Sequence, residues 1–422
     1  MEIKNYRPRV LDTLIEQRLN TSGALLIEGP KWCGKTWAAR HIANSEVDLQ
    51  DPDKRAGYLN MADTMPSFLL QGAKPRLIDE WQEAPQLWDA IRYDVDKTGE
   101  WGQYLLTGSA TPQDQNRPRH SGTGRISRVL MRPMSLYESG ESNGTVSISE
   151  LFRNPTAIAA EGKLDIPAIA NAICRGGWPE AVVKATTSEL VARNYLSAVT
   201  NQDIQRLDGV DRDPVRVKLF LRSYARNIST LASLATIQKD VQSNDTTFSE
   251  VTLYSYLQAL RRMYLIEDVQ AWKPSLRSKS AIRTSDKRQF VDPSIAVAAV
   301  GGDKDYILND FEYFGFLFES LVTRDLRIYT QTIDGEIFQY RDKDNLEADL
   351  IIRLHNGQWA PVEVKLGSKE IEDGAKHLLT LEQKVDTTVV GKPTFKMVVT
   401  GGQFAYQRPD GVYVVPLSCL RP

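Results

Sequence analysis

The stretch Gly29-Pro-Lys-Trp-Cys-Gly-Lys-Thr36 is preceded by an apolar run, Ala24-Leu-Leu-Ile27. It opens into a helix-compatible run, Trp37-Ala-Ala-Arg-His-Ile42. Glycine, four residues, then Gly-Lys-Thr, set between a strand and a helix, is the phosphate-loop pattern. It constrains the fold because a buried strand must feed directly into a helix N-terminus. Backbone N–H groups of the loop and the positive end of the helix then make a concave anion site. Gly29, Pro30, Lys31, Trp32, Cys33 and Gly34 would form the cradle, with Trp37 just inside the helix. Lys35 would reach the β- and γ-phosphates, and Thr36 would set its hydroxyl on Mg²⁺. The pattern predicts an α/β domain that binds a nucleoside triphosphate.

The flanking sequence agrees. Residues 6–20 carry Val10, Leu11, Leu14, Ile15 and Leu19 on one helical face. A short strand is expected at Val47-Asp-Leu49. Arg76-Leu-Ile-Asp-Glu-Trp-Gln82 then reads as a buried strand ending in two acids. This is the Walker B arrangement, with Asp79 holding Mg²⁺ opposite Thr36 and Glu80 polarising the attacking water. A helix over 86–97 leads to Gln103-Tyr-Leu-Leu-Thr-Gly-Ser-Ala110, a strand whose polar end offers Thr107 or Ser109 beside the γ-phosphate. Gly108 is read as serving the turn. The basic, glycine-rich segment Arg117–Arg128 offers Arg125 and Arg128 as a charge clamp, in cis or from a neighbouring subunit, with a solvated basic loop as the plain alternative.

Charge limits what else the chain can be. Lys plus Arg total 52 against 54 Asp plus Glu, so any nucleic-acid surface must be a local patch. The three cysteines, Cys33, Cys174 and Cys419, lack metal-type spacing and suggest a reducing compartment. Cys33 is expected to fill the loop, although a helix N-terminus could lower its pKa. No run approaches about 18 uninterrupted apolar residues, so no membrane span is expected and the chain reads as cytoplasmic.

GPKWCGKT, then LIDEWQ, LLTGSA, GR and MRPMSLYE, in that order, resemble the AAA-type ATPases of bacteria and archaea that carry a C-terminal DUF4143 region. The resemblance implies ATP rather than GTP, rings with a hexamer as default, and an ATPase core followed by a helical lid, a winged-helix domain and a restriction-endonuclease-like α/β domain. The expected boundaries are 1–145, 146–210, 211–300 and 301–422. Trp81 stands where that family has an aliphatic residue, and Gln202 where it has arginine before Asp203-Ile204.

Residues 148–200 read as helical, interrupted by Ile173-Cys-Arg-Gly-Gly-Trp-Pro-Glu180, a structural corner in which Gly176 and Gly177 supply unusual backbone angles. Helices at 214–229, 233–242 and 247–264 precede a strand pair, a winged-helix pattern. Leu253, Leu257, Leu260 and Tyr264 form its buried stripe. The basic tip, Arg277, Lys279, Arg283, Lys287 and Arg288, is where a wing would touch DNA phosphates. A solvated hairpin is the plain alternative.

The last third pairs a helix at 312–327, containing Glu319, with strands at 336–340, 345–352 and 359–366. Alternation puts Glu363 and Lys365 on one face, with Asp349 on the adjacent strand. Such a set can bind Mg²⁺ or Mn²⁺ and orient a hydrolytic water. It resembles the PD-(D/E)XK nuclease pattern, which implies Asp349, Glu363 and Lys365 as the core and Glu319 as the helix carboxylate. A salt-bridged hairpin without chemistry satisfies the same periodicity. The sequence therefore predicts an ATPase acting on DNA, with possible metal-dependent cleavage. A signalling switch and a DNA-binding scaffold with a silent nuclease fold are its rivals.

Overall fold

The computed structural model describes residues 6–110, 122–184, 188–274 and 285–422. The chain divides into two compact units. One comprises Met1–Pro133, Asp203–Asp211 and Ala259–Leu265; the other comprises Met134–Gln202, Arg212–Gln258 and Ile266–Pro422.

The first unit is built on strands β1 (Ala24–Glu28), β2 (Ser45–Asp48), β3 (Arg76–Asp79), β4 (Tyr104–Gly108) and β5 (Ile126–Leu130). They form a parallel sheet in the order β2-β3-β4-β1-β5. Parallel neighbours need crossovers, and helices on both faces explain why Ala24–Ile27 of β1 and Tyr104–Leu106 of β4 are continuous apolar runs rather than alternating. Leu25 and Ile27 face one core with α1 (Leu11–Leu19) and α2 (Lys35–Ile42). Ala24 and Leu26 face the other, with α3 (Arg55–Thr64), α4 (Pro66–Leu69) and α5 (Gln86–Thr98). The consequence for function is positional. β4 lies between β1 and β3, so their carboxyl ends bring the phosphate loop, Thr107 and Asp79 side by side, where ligands of open α/β sheets sit.

The second unit holds a seven-stranded mixed sheet ordered β7-β12-β13-β11-β10-β9-β8. Its strands are β7 (Ala159–Glu161), β8 (Gly335–Arg341), β9 (Glu347–Leu354), β10 (Trp359–Lys365), β11 (Met397–Thr400), β12 (Phe404–Gln407) and β13 (Tyr413–Pro416). A separate pair joins β6 (Val146–Ser147) in parallel to β14 (Leu420–Arg421). The helix Phe311–Gln331 is buried continuously from Leu317 to Thr330. The helices Pro214–Arg226, Leu234–Gln242 and Glu250–Arg262 match the expected positions, the first and third shorter by a few residues and the second by one. Leu253, Leu257 and Leu260 are buried as the stripe requires, but Tyr264 lies past the helix end with φ 57° and is only half-buried. Among the described residues, the strand pair that follows consists of the isolated bridges Ile266↔Phe290 and Val269↔Lys287. β7 lies in a region expected to be helical. Its sequence is alanine-rich, and only pairing with β12 makes it a strand.

Gly176 and Gly177 differ in their roles. Gly176 has φ +73°, as expected for the corner, whereas Gly177 needs space: a Cβ would lie 2.1 Å from the Met134 carbonyl oxygen. Gly108 likewise has no left-handed backbone to serve. A Cβ there would meet Trp81 Nε1 at 2.9 Å, so glycine admits the indole rather than making the turn.

Candidate nucleotide site and a second carboxylate cluster

The phosphate loop is held from below. Arg9, 8% exposed, donates from Nη1 to the Cys33 carbonyl at 2.7 Å and from Nη2 to the Arg132 carbonyl at 2.8 Å. Gly29, with φ +151°, lies so close to the Met131 carbonyl that a Cβ would sit 2.1 Å from its oxygen. Cys33 is buried and its thiol donates to the same carbonyl at 3.4 Å. Burial pushes that thiol pKa up, against the pull of Lys35, so Cys33 is packing and not a reactive thiolate. Lys31 pairs with Asp203 at 2.7 Å. Trp32 and Trp37 are both 52% exposed.

Lys35 is buried and donates to the Gly29 and Pro30 carbonyls at 3.0 and 2.8 Å, arching back over the loop. The Thr36 hydroxyl donates to Asp79 Oδ1 at 2.9 Å. Thr107 donates to the same oxygen at 2.5 Å and accepts from the Glu80 N–H at 2.9 Å. Burial pushes Asp79 up to about 6 despite those hydroxyls. Glu80 has a left-handed backbone, φ 54°, which turns its carboxylate toward the end of β4. There it accepts from Ser109 Oγ at 3.0 Å and from the Gln82 side-chain amide. Asp48 lies beside Asp79 in register. Among the described residues, one acidic trio, Glu46, Asp48 and Asp79, brings its oxygens within 4.8 Å of one another. Arg40 bonds both Glu46 and Asp48. The donor set Thr36 plus Asp79, hard oxygens beside a loop of N–H groups, fits Mg²⁺ on a phosphate.

Arg125 and Arg128 do not reach this site within the same chain. Arg125 is level with the start of β1, where its carbonyl accepts from Ala24 N–H, and its guanidinium pairs with Asp96. That is one strand length, roughly 17 Å, from Gly29. Arg128 pairs with Glu28 at 3.2 Å and its guanidinium carbon lies 5.1 Å from the Trp88 ring centre. The clamp in cis is therefore corrected. Arg125 is tied at the end of the sheet away from the loop, because β5 runs parallel to β1, whereas Arg128 is held by Glu28 and Trp88 on the α5 side of the sheet.

The basic tip divides. Arg277, Lys279 and Arg283 lie outside the described residues. Lys287 and Arg288, expected to touch phosphates, are 6% and 4% exposed. Arg288 pairs with Asp268 at 2.9 Å, and Lys287 points the other way, into the carboxylate cluster. These two are corrected: backbone alternation sends each to a buried acid, which a desolvated cation requires.

That cluster brings together all four residues singled out from the last third of the sequence. Glu363 and Lys365 share a face of β10 as alternation demands, 2.7 Å apart. Lys365 Nζ is 3.6 Å from Asp349 Oδ2, which accepts from the Val364 N–H at 2.8 Å. Glu319 bonds Lys287 at 2.6 Å. Burial works against the Lys287 charge, but Glu319 and Asp349 outweigh it and hold its pKa above the ordinary lysine value. Burial drives Glu319 up to about 7. Glu319, Asp349 and Glu363 do not converge as the trio beside Thr36 does. The carboxylates expected to share Mg²⁺ or Mn²⁺ are paired with ammonium groups, and the donor set does not fit a divalent ion.

Sequence reasoning missed Arg9, Arg40, Asp203 and the inward turn of Lys287. Arg9 lay before a helix with an obvious apolar face, and Lys287 inside a run of exposed-looking cations. Only Lys287's position in an alternating pair, opposite Arg288, signalled that one of the two must point inward.

Comparison with known proteins finds an AAA domain over residues 21–140, a domain of unknown function (DUF8612) over 166–306, and another (DUF4143) over 314–420. Uncharacterized proteins of Mycobacterium bovis and Mycobacterium tuberculosis are each 22% identical over 366 residues, covering 84% of this chain and 75% of theirs. Among solved structures, the Walker-type ATPase of Pyrococcus abyssi is similar at 15% identity and TM-score 0.41, over 70% of this chain and 99% of that one. Thermotoga maritima RuvB is similar at 16% identity and TM-score 0.30, over 62% and 93%. The chain thus carries an AAA-type P-loop domain at residues 21–140 and, at residues 314–420, a DUF4143 domain of unknown function.

Proposed function

We propose that this chain is a Mg²⁺-dependent ATPase. The observation that carries the reading is the bond of Thr36 to Asp79 at 2.9 Å, which joins the phosphate loop to the acidic strand end. With MgATP bound, Thr36 and Asp79 would hold the metal. Lys35 would exchange two backbone carbonyls for phosphate oxygens, so its ammonium is hydrogen-bonded before binding and gains a charged partner on binding. Glu80, fixed by Ser109 and Gln82, would orient and deprotonate the attacking water. Ser109 and Gln82 are positioning residues. Arg125 or Arg128 would act only from a neighbouring subunit, in a homo-oligomer for which a hexamer is the implied size.

The test is ATP hydrolysis by the wild-type chain, Lys35→Ala and Glu80→Gln. The reading expects Lys35→Ala to lose nucleotide binding. Glu80→Gln should bind ATP while turnover falls by about 10²–10⁴. Wild-type turnover in Glu80→Gln would overturn the assignment of the base. For the work that hydrolysis drives we propose action on DNA, carried by a winged-helix-like region at 211–300. Its support is now the sequence cluster Arg277, Lys279 and Arg283 alone. DNA should stimulate turnover, and replacing these three with alanine should remove the stimulation. An ATPase rate indifferent to single- and double-stranded DNA would sink the DNA reading and leave the ATPase standing.

A further inference from the structure

We infer that Lys287 is the resident cation of the Glu319–Asp349–Glu363 cluster, standing where such a set would otherwise take a divalent metal. Its Nζ lies 2.6 Å from Glu319 Oε1, 3.0 Å from the Asp349 carbonyl oxygen and 3.8 Å from Asp349 Oδ1. These groups come from the helix Phe311–Gln331 and from β9, so the ammonium bridges the same two elements a shared metal would bridge. Lys365 meets Glu363 at 2.7 Å and Asp349 at 3.6 Å from the other side. His377, on the helix Ile371–Lys384, stands 3.9 Å from Glu363 and is half-exposed at the cluster's edge. Two ammonium charges therefore face three carboxylates within one buried group.

Lys287 is not a passing side chain. Its backbone is bridged to Val269 by bonds in both directions, each 2.9 Å, so the position of its Cα is set by the fold. Its neighbour Arg288 is fastened to Asp268 and to the Ala232 carbonyl, which locks the alternation that sends Lys287 inward. Mg²⁺ requires near-octahedral oxygens at about 2.0–2.1 Å and usually keeps several waters. A buried ammonium bonded to one carboxylate and one carbonyl of the set excludes both the oxygens and the waters. The inference is a closed, metal-free ion network in a place where the sequence order alone spells a nuclease. It is independent of the ATPase reading.

Mn²⁺ bound per chain, counted by EPR on the full-length nucleotide-free protein, tests it. Wild type and Asp349→Asn are expected to bind equal numbers, any ion at the Glu46–Asp48–Asp79 trio being common to both. Lys287→Met is expected to bind one Mn²⁺ more than wild type, and Lys287→Met with Asp349→Asn to lose it again. One Mn²⁺ more in wild type than in Asp349→Asn overturns the inference, as does a folded Lys287→Met that gains none. Should Lys287→Met not fold, wild type against Glu319→Gln decides in the same way. Equal counts support the built-in cation, and an extra ion in wild type overturns it.

Discussion

At the scale of single residues, the strongest consequence concerns Asp79. Its carboxylate is buried, and burial pushes it up to about 6 while Thr36 and Thr107 donate to it. The metal takes the deprotonated form. MgATP affinity should therefore be near its maximum above pH 7 and fall as pH drops through 6, by at most about tenfold per pH unit for one proton. Titrating MgATP affinity between pH 5 and 8 checks this, with Asp79→Asn as the control that should bind weakly and show no such slope. A flat wild-type profile would mean that another group carries the metal. That Thr36 and Asp79 would meet, with Lys35 and Glu80 beside them, was legible in the sequence because a phosphate loop and a strand ending in acids fix that neighbourhood by spacing alone. Arg125 and Arg128 were legible as cations but not as ligands. Which end of β5 they occupy depends on its parallel pairing with β1, a long-range fact that no local spacing contains.

At the scale of elements, the corner at Gly176-Gly177-Trp178 shows how a turn with no chemistry can still be sharply specified. Gly177 N–H donates to Asp292 Oδ2 at 2.9 Å, and Trp178 Nε1 donates to Ser294 Oγ at 3.0 Å. Arg324, from the helix Phe311–Gln331, bonds the same Asp292 oxygen at 2.8 Å and Asp325 Oδ1 at 2.9 Å, all of it buried. Removing one partner of such a network leaves the others charged and desolvated. Arg324→Ala should cost about 3–5 kcal/mol in urea unfolding of this unit, far more than an exposed pair such as Lys184–Glu180, worth about 0–1 kcal/mol. A loss below about 1 kcal/mol would show that the network is solvated. The corner itself was readable from Gly-Gly-Trp-Pro-Glu. Its partner Asp292 was not, since a single aspartate before Pro293 reads only as a helix cap, which it also is. β7 failed for the complementary reason: Ala159–Glu161 has no strand propensity of its own and is a strand through its neighbour β12.

At the scale of the whole molecule, the question is what completes the nucleotide site. Phosphate-loop sites usually draw part of their transition-state charge stabilisation from a cation besides the loop lysine. Arg125 sits a strand length away in its own chain, half-exposed and paired across the surface with Asp96. A surface pair of that kind contributes little to stability. If Arg125 acts in a neighbouring copy, Arg125→Ala should leave the melting temperature unchanged and lower turnover, by up to the roughly 10³-fold and more that an arginine finger supplies. Lys35→Ala should be equally inactive for a different reason. Mixing the two inactive variants is then the deciding measurement. Some interfaces in the mixture pair an intact loop from the Arg125 variant with an intact Arg125 from the Lys35 variant, so activity should reappear where neither parent has any. Full wild-type turnover in Arg125→Ala would exclude Arg125 from the reaction. Inactivity that mixing does not restore would place its effect within one chain, where the position of β5 relative to β1 would have to change for it to reach the loop.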